Sequence, residues 1–245
     1  MQMCKGVIRV LRNAYKNFLN LLYPKTCCFC GKVSTKELCD SCAEKVIYIA
    51  EPRCKQCGKP VRYAEQEYCH DCEGRHWYYE QGRSLWVHKE PVSGSVYRFK
   101  YKNKRVYAEF YAAEWERLYG KILRDWAIDV IVPVPLHPHR KRLRGYNQAE
   151  ALAKALGRRM GIPVESHALR RIHNTRPQKK LNDKERRRNL REAFVLKKSW
   201  EEPKRILVVD DIYTTGSTID SVAQILSQNG KNKVWFLTIS IGQGF

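Results

Sequence analysis

Eight of the ten cysteines in this chain of 245 residues fall into pairs whose members are separated by two residues. Two intervening residues form a tight turn from which both thiolates can reach the same metal ion. Two such turns complete a tetrahedral, all-sulfur zinc site with no open coordination position, which is a structural rather than a catalytic site. The sequence therefore predicts two structural Zn²⁺ ions, with the ligands Cys27, Cys30, Cys39, Cys42, Cys54, Cys57, Cys69 and Cys72.

An internal repeat indicates how these cysteines are grouped. The stretch Cys27–Lys32 returns as Cys54–Lys59, and each copy is followed by a further cysteine pair. The repeat favours one zinc per copy, although an interleaved grouping, first pair with third, also fits the spacing. A thioredoxin-like redox site needs one such pair at a strand-to-helix turn rather than four pairs in one segment. Cys4 and Cys28 fall outside the pattern and are predicted to be packing thiols.

A second group of chemistry-bearing residues follows the apolar pair Val208 and Val209. Two adjacent carboxylates, Asp210 and Asp211, come next, and then a turn rich in hydroxyls and glycine. Backbone N–H groups at a helix start, together with side-chain hydroxyls, form a cradle for a phosphate dianion. The carboxylates are placed to contact ribose hydroxyls or a bridging Mg²⁺ ion, and we expect both to be catalytic. No Walker lysine follows, so this run is not a P-loop. The predicted phosphate-binding residues are Thr214, Thr215, Gly216, Ser217 and Thr218.

The charge of the chain predicts a phosphate-bearing partner. Lys and Arg number 46 against 25 Asp and Glu, and +17 of the net charge of +21 belongs to residues 81–245. Such a field attracts the phosphates of a nucleotide, a nucleic acid or an acidic lipid surface. Single-stranded DNA binds where cations alternate with aromatic rings, although a hairpin core with a basic outer edge would show the same residues. The predicted nucleic-acid contacts are Lys100, Lys102, Arg140, Lys141 and Arg142, beside the rings of Tyr97, Phe99, Tyr101 and Tyr107.

Apolar runs alternate with helical patterns over the second half of the chain. This alternation predicts an α/β fold with a doubly wound, mainly parallel sheet. Ligands of such sheets bind beyond the carboxyl ends of the strands. The predicted strands are 130–134, 168–172, 205–210 and 234–241, the helices are 106–123, 147–160 and 217–229, and a hairpin joins strands at 84–88 and 95–101.

Composition divides the chain into three segments. Residues 1–24 have four basic and no acidic residues and are predicted to form an amphipathic helix. That helix either packs on the body of the protein or docks on a membrane surface. Residues 25–80 hold an N-terminal Cys4 zinc-ribbon module, and residues 81–245 hold the α/β domain. No apolar run is long enough to span a bilayer, and metal-binding cysteines without an export signal predict a cytoplasmic protein.

The run from Val208 to Thr218 resembles the phosphoribosyl pyrophosphate (PRPP) motif of type I phosphoribosyltransferases, where two acidic residues precede a Thr-Thr-Gly-type loop. The resemblance implies the phosphoribosyltransferase fold and PRPP with Mg²⁺ as the ligand. It also implies that Val132–His137 is the pyrophosphate loop, which contains Pro135 and is followed by Arg140. The charged loop from Asn174 to Arg186 corresponds to the flexible lid over PRPP. Its candidate pyrophosphate contacts are Arg176, Lys179 and Arg186.

The order of motifs along the chain is similar to that of the ComF (ComFC) family. After the paired Cys-x-x-Cys units come Val-Pro-Val-Pro-Leu-His, Arg-Gly-Tyr-Asn-Gln, Thr-Arg-Pro-Gln and the Asp-Asp motif. That family is linked to competence, the uptake of single-stranded DNA in natural transformation. The resemblance implies a zinc-binding module joined to a phosphoribosyltransferase-like domain, and a cytoplasmic role beside a competence helicase.

Two functions are compatible with these residues and with the resemblance. One is an accessory protein of DNA uptake, which handles incoming single-stranded DNA and binds PRPP or a related phosphoribosyl ligand with a divalent ion. The other is an active phosphoribosyltransferase that transfers the 5-phosphoribosyl group from PRPP to an acceptor. Zinc ribbons and an aromatic helix stand where such enzymes have a hood for the base, so the sequence names no acceptor.

Overall fold

Parallel strands form the central sheet of the protein. The computed structural model describes residues 24–172, 193–198, 200–202 and 204–242. The strands of this sheet are β1 (Gly82–Val87), β2 (Val130–Pro133), β5 (Arg205–Tyr213) and β6 (Lys233–Ile241). A separate antiparallel pair consists of β3 (Leu169–Arg171) and β4 (Phe194–Leu196). The central strands lie in the order β1-β6-β5-β2 and all run parallel, as the sequence predicts.

Helices cover both faces of the central sheet, which explains why its strands are apolar throughout. Leu207 and Val209 of β5 belong to one hydrophobic cluster, whereas Ile206 and Val208 belong to the other, because alternate side chains of a strand point to opposite faces. The fold is therefore the predicted α/β fold with a doubly wound sheet. The helices are α1 (Asp40–Ala43), α2 (Val92–Tyr101), α3 (Tyr107–Asp125), α4 (Pro138–Arg144), α5 (Gln148–Met160) and α6 (Ser217–Leu226).

The predicted hairpin between residues 84 and 101 is wrong. Strand β1 pairs in parallel with β6, and the predicted second strand is the helix α2. Over so short a stretch, the order of apolar and polar residues fits both the two-residue period of a strand and the 3.6-residue period of a helix. The buried positions in the structure have the spacing of one face of a helix. These positions are Val92, Ser95, Val96 and Phe99.

Two predicted element ends are also corrected. Strand β5 continues past Asp210 to Tyr213, because its main chain stays paired with β6 as far as Ile241. Helix α6 ends at Leu226 rather than at residue 229. The remaining predicted strands and helices agree with the structure to within two residues.

The cysteine-rich segment wraps the edge of the sheet at β1. Tyr48 pairs with Trp86 in an antiparallel bridge, and the Ile49 N–H donates to the Leu85 carbonyl at 3.0 Å. The first group of cysteines lies in the hydrophobic cluster on one face, and the second group lies in the cluster on the other face. The segment therefore covers a strand edge that would otherwise be open to pairing with another chain.

Some predictions lie outside the described residues. They are the helix at the N-terminus, of which only Pro24 is described, and the predicted lid of residues 174–186. The division of the chain at residues 24 and 80 stays a prediction. Within the ranges that the structure describes, no helix is long and apolar enough to cross a membrane.

Candidate functional site

Each copy of the cysteine repeat brings its own four thiols together, with all Sγ atoms of a cluster within 4.8 Å of one another. The Sγ atoms of Cys30 and Cys39 are 3.8 Å apart, and those of Cys57 and Cys69 are 3.6 Å apart. A tetrahedron with Zn–S bonds of about 2.3 Å has edges of about 3.8 Å. Both clusters therefore fit a structural zinc ion, and the interleaved grouping is excluded. We call them the first ribbon (residues 27–42) and the second ribbon (residues 54–72).

The two ribbons share the turn that the repeat predicts. The Gly31 N–H donates to the Cys27 carbonyl at 2.9 Å, and the Gly58 N–H donates to the Cys54 carbonyl at 3.0 Å. Both glycines have a positive φ, 77° and 76°, which a residue with a side chain rarely adopts. Glycine at this position allows the chain to turn back so that both thiols of a pair face the same point.

Cys28 lies beside the first ribbon but outside its cluster. Its side chain is 3% exposed, and burial raises the pKa of the thiol to about 12. A thiol that stays protonated at neutral pH is a poor metal ligand, because the thiolate is the form that binds metal. The structure therefore agrees with a packing role for Cys28, while Cys4 lies outside the described residues.

The two aspartates lie near the carboxyl end of β5. The Asp211 N–H donates to Asp210 Oδ1 at 2.8 Å. Burial, and then the charge of Asp211, raise the pKa of Asp210 to about 7. An aspartate held in this state favours a cation or a hydrogen-bond donor, either of which would stabilise its ionised form.

Lys100 forms an ion pair with the second of these aspartates. Its Nζ lies 2.9 Å from Asp211 Oδ1, and both side chains are largely buried, with 17% and 12% of their surface exposed. The sequence places Lys100 among the nucleic-acid contacts, whereas the structure places it inside the site. Its pairing with Asp211 depends on α2 being a helix that crosses the carboxyl end of the sheet.

A cavity of about 130 Å³ opens over the aspartates at the carboxyl ends of β2 and β5. Among the described residues, its charged lining comprises the two aspartates and four cations. Its walls also include backbone and side chains from the pyrophosphate-loop segment and from the start of α5. The lining residues are Lys100, Val134, Pro135, Leu136, Arg140, Arg144, Asn147, Gln148, Ala149, Arg171, Asp210, Asp211 and Thr218.

The Arg-Gly-Tyr-Asn-Gln motif holds the end of α2 against this cavity. Tyr146 donates its hydroxyl hydrogen bond to the Phe99 carbonyl, and Gln148 Nε2 donates to the Lys100 carbonyl at 3.4 Å. Arg144 donates through Nη1 to Gln148 Oε1 and through Nη2 to the Tyr101 hydroxyl, both at 3.0 Å. The motif therefore fixes the stretch of helix that carries Lys100.

The predicted phosphate loop runs from Thr214 to the start of α6. The side chains of Thr214 and Thr215 are exposed, while Gly216 is buried with a φ of 78°. Within the described part of the chain, no side chain caps the N-terminus of α6, so the loop presents the first N–H groups of a ten-residue helix. Thr215 and Ser217 hydroxyls lie 2.9 Å apart, and Thr218 reaches the cavity. This arrangement fits the phosphate cradle that the sequence predicts.

The structure separates the other predicted residues into three groups. Pro135 and Arg140 line the cavity. Lys102, Lys141 and Arg142 are exposed outside it. Arg176, Lys179 and Arg186 lie outside the described residues.

Arg171 of β3 also lines the cavity, and the sequence did not predict it as a site residue. Burial lowers the pKa of its guanidinium, with the nearby charge of Arg140 as the next cause. No local signal in the sequence marks Arg171, since its place depends on the pairing of β3 with the distant strand β4.

Comparisons with known proteins find one family model and several sequence relatives. The family model described as "Double zinc ribbon domain" matches residues 18–73. Competence protein F of Haemophilus influenzae is 35% identical over 154 residues, which cover 59% of this chain and 66% of that protein. Competence protein ComFC of Bacillus subtilis is 32% identical over 152 residues, 62% of this chain and 60% of that protein. DNA utilization protein YhgH of Escherichia coli O157:H7 is 39% identical over 111 residues, 44% of this chain and 48% of that protein.

The chain thus spans between about half and two thirds of the length of these relatives. A solved structure of a hypoxanthine phosphoribosyltransferase from Staphylococcus aureus is 15% identical, covers 55% of this chain and 62% of that chain, and has a TM-score of 0.32. The two cysteine clusters agree with the double zinc ribbon match. The chain belongs to the ComF (ComFC) family of competence proteins.

Proposed function

We propose that the protein is an accessory protein of natural transformation, which handles incoming single-stranded DNA and binds PRPP or a related phosphoribosyl ligand with a divalent ion. Relatives named competence proteins and DNA utilization proteins support the setting. A cytoplasmic location and a competence helicase as partner belong to the same proposal. The observation that carries the ligand is the cavity in which two adjacent carboxylates face four cations.

The charges of the cavity select the chemistry of the ligand. Four cations against two carboxylates leave an excess of positive charge, which suits a polyanion. The guanidiniums of Arg140, Arg144 and Arg171 are donors that match phosphate oxygens. The carboxylates of Asp210 and Asp211 accept hydrogen bonds from vicinal hydroxyls or bind Mg²⁺ through oxygen. A sugar that carries both hydroxyls and a pyrophosphate meets both requirements.

Binding of PRPP with Mg²⁺ is expected to release protons at pH 6.5 and to release fewer at pH 8.5. Asp210 has a pKa of about 7, so it must lose its proton below that pH before it can contact the metal or accept hydroxyl hydrogen bonds. The affinity is therefore expected to fall by up to about tenfold for each pH unit below 7. Calorimetry in two buffers of different ionisation enthalpy counts the protons.

The control for this titration is the proton release measured when PRPP binds Mg²⁺ without protein. Pyrophosphate and ribose 5-phosphate, titrated separately, show which half of the ligand supplies the affinity. Absence of PRPP binding at pH 8.5, where Asp210 is ionised, would refute the proposed ligand.

The exposed surface beside the cavity supports the DNA part of the proposal. Helix α4 has no buried residue, and its Lys141 and Arg142 side chains are exposed. Tyr97 and Tyr101 are 55% and 54% exposed, with ring centroids 5.0 Å apart. Arg144 joins this surface to the cavity, because it lines the cavity and lies 4.8 Å from the Tyr101 ring.

Two of the predicted rings are not available to bases. Phe99 is fully buried and Tyr107 is 1% exposed, so both belong to the protein core. The stacking surface is therefore limited to Tyr97 and Tyr101, which is half of the set that the sequence predicts. These two rings and the cations of α4 are the contacts that we propose for a single strand.

The double variant Lys141→Ala, Arg142→Ala is expected to weaken the salt dependence of single-stranded DNA binding. Each neutralised phosphate contributes about 0.7 to the slope of log affinity against log salt, so two lost contacts reduce its magnitude by roughly 1.4. The matched control is Lys231→Ala, Lys233→Ala, which removes two exposed cations at the amino end of β6. Equal slopes for both double variants would contradict a DNA surface on α4.

Catalysis of phosphoribosyl transfer is the second candidate function. The neighbouring rings of Tyr97 and Tyr101 favour it, because a base resting on Tyr101 would lie near a ribose held by Asp210 and Asp211. In this reaction the C1–O bond to pyrophosphate breaks and a bond from C1 to an acceptor nitrogen or oxygen forms, with loss of the acceptor proton. Release of pyrophosphate from PRPP that depends on single-stranded DNA or a nucleobase distinguishes this function from binding alone.

A further inference from the structure

The phosphate loop packs on two aromatic side chains, Trp77 in the segment that follows the second ribbon and Tyr213 at the end of β5. A Cβ atom at Gly216 would lie 2.3 Å from the Tyr213 hydroxyl and 3.0 Å from Cη2 of the Trp77 indole. Contacts this close mean that the loop backbone lies directly on these two rings. Any displacement of either ring therefore displaces the backbone at Gly216.

Tyr79 holds Tyr213 in place from below. The two hydroxyls lie 2.7 Å apart, and both side chains are almost fully buried, with 2% and 1% exposed. Tyr213 stacks on Phe236 at 4.9 Å with an interplanar angle of 5°, and Tyr79 meets the same ring edge-on at 4.9 Å. Both tyrosine rings are therefore packed against Phe236, which restricts the positions of the two hydroxyls.

The same segment also contacts the helix that follows the loop. The Tyr78 N–H donates to Asp220 Oδ1 at 2.9 Å, and Asp220 lies in the first turn of α6. Residues 77–79 therefore touch the loop at Gly216, at Tyr213 and at the start of its helix.

The second ribbon fixes the position of Tyr79. Gln56, between the first two cysteines of this ribbon, donates through Nε2 to the carbonyls of Tyr79 and Glu80 at 2.5 and 2.9 Å. The Gln56 carbonyl in turn accepts from the Gly82 N–H at 2.8 Å. Lys59 lies over the Tyr213 ring at 5.9 Å and forms an ion pair with Asp71, between the last two cysteines.

The first ribbon makes different contacts. Ser95 donates its hydroxyl hydrogen bond to the Cys28 carbonyl at 2.5 Å, and Arg98 donates to the Phe29 carbonyl. Both partners lie on α2, and the first ribbon belongs to the hydrophobic cluster on the other face of the sheet. The two ribbons therefore support different sides of the site.

We propose that the second ribbon is the positioning element of the phosphate loop and that Tyr79 is the positioning residue through which it acts. The inference rests on the proposed function only in that the loop binds phosphate. Tyr79 does not itself touch the ligand. It keeps Tyr213, and through it Gly216, in the conformation in which the loop N–H groups face a phosphate.

A Tyr79→Phe variant tests this role with a matched control. It removes one buried hydroxyl, and we expect the affinity for PRPP with Mg²⁺ to fall about fivefold, the loss typical of one hydrogen bond. Tyr119→Phe removes a comparable hydroxyl. Tyr119 is 5% exposed, and its hydroxyl lies 2.6 Å from the Ser84 carbonyl oxygen. Both variants are expected to melt at lower temperature, but Tyr119→Phe is expected to keep the affinity of the parent chain.

Hydrogen exchange of the loop amides, residues 214–218, provides a readout that needs no ligand. Tyr79→Phe is expected to speed exchange there, and Tyr119→Phe is expected to leave it unchanged. Tyr213→Phe removes the same hydrogen bond from its other side, so it should match Tyr79→Phe, and the double variant should add no further effect. Unchanged loop exchange in both Tyr79→Phe and Tyr213→Phe overturns the inference. Failure of the parent chain to bind PRPP overturns the proposed function instead, and loop exchange still decides the role of Tyr79.

Discussion

A Cys57→Ser variant is expected to bind one zinc ion instead of two and to unfold at a markedly lower temperature than the parent chain. Cys57 is fully buried and lies in the second cluster of four thiols. Structural zinc in small modules contributes on the order of 10 kcal/mol to folding, which is comparable to the whole stability of a typical domain. Metal analysis and thermal unfolding measure the two effects.

The loss is expected to reach beyond the ribbon itself. The cysteines of the second ribbon belong to the same hydrophobic cluster as Val208 of β5, Phe236 of β6 and Val222 of α6. Unfolding of the ribbon would therefore expose one face of the central sheet. Cooperative unfolding of the whole α/β core at a lower temperature is the expected form of the transition.

Cys28→Ser is the matched control for this variant. It makes the same change at a thiol that is 3% exposed but outside both clusters. We expect Cys28→Ser to retain two zinc ions. Its free energy of unfolding should fall by only about 1 kcal/mol, as for a small polar change in a packed site. Two zinc ions per chain in purified Cys57→Ser would contradict the assignment of Cys57 as a ligand.

The sequence was most informative where function depends on residues that are close together along the chain. The four thiols of each ribbon come from a stretch of under twenty residues, so their spacing alone predicts a metal site. Asp210 and Asp211 follow an apolar run, which predicts their place near the end of a buried strand. Only the grouping of the ribbons needed the structure, because both groupings satisfy the spacing.

Contacts between distant segments could not be predicted in this way. The stretch from Val92 to Tyr101 carries a pattern that a strand and a helix share, and burial against the sheet decides between them. The ion pair of Lys100 with Asp211 follows from that helix, so the sequence assigned Lys100 to the DNA surface. The hydroxyl pair of Tyr79 and Tyr213 likewise joins residues that are 134 positions apart.

The Arg-Gly-Tyr-Asn-Gln motif illustrates the same limit. Arg144, the first residue of the motif, lines the cavity. Tyr146 and Gln148, however, act mainly on α2, through hydrogen bonds to the carbonyls of Phe99 and Lys100. Their role is to position another element, which no property of the motif alone reveals.

An Asp210→Asn variant is expected to be more stable than the parent chain at pH 8 without ligand, and to lose binding of PRPP with Mg²⁺. Burial and the charge of Asp211 raise the pKa of Asp210 from 3.8 to about 7. A group whose pKa is higher in the folded than in the unfolded protein stabilises the fold fully at a pH below its unfolded-state pKa. That stabilisation is lost as the pH rises through its folded-state pKa. At pH 8 the ionised Asp210 therefore destabilises the ligand-free protein.

Asparagine removes this charge but keeps the acceptor for the Asp211 N–H, which lies 2.8 Å from Asp210 Oδ1. We expect a gain of up to about 4 kcal/mol in the free energy of unfolding at pH 8, shrinking toward zero near pH 4. The neighbouring variant Asp211→Asn is expected to act with the opposite sign, because it leaves the largely buried Lys100 without its ion pair. Thermal unfolding from pH 4 to pH 8 with and without PRPP compares the variants. Equal stability of Asp210→Asn and the parent chain at pH 8, together with unchanged ligand binding, would show that Asp210 belongs to the scaffold and not to the ligand site.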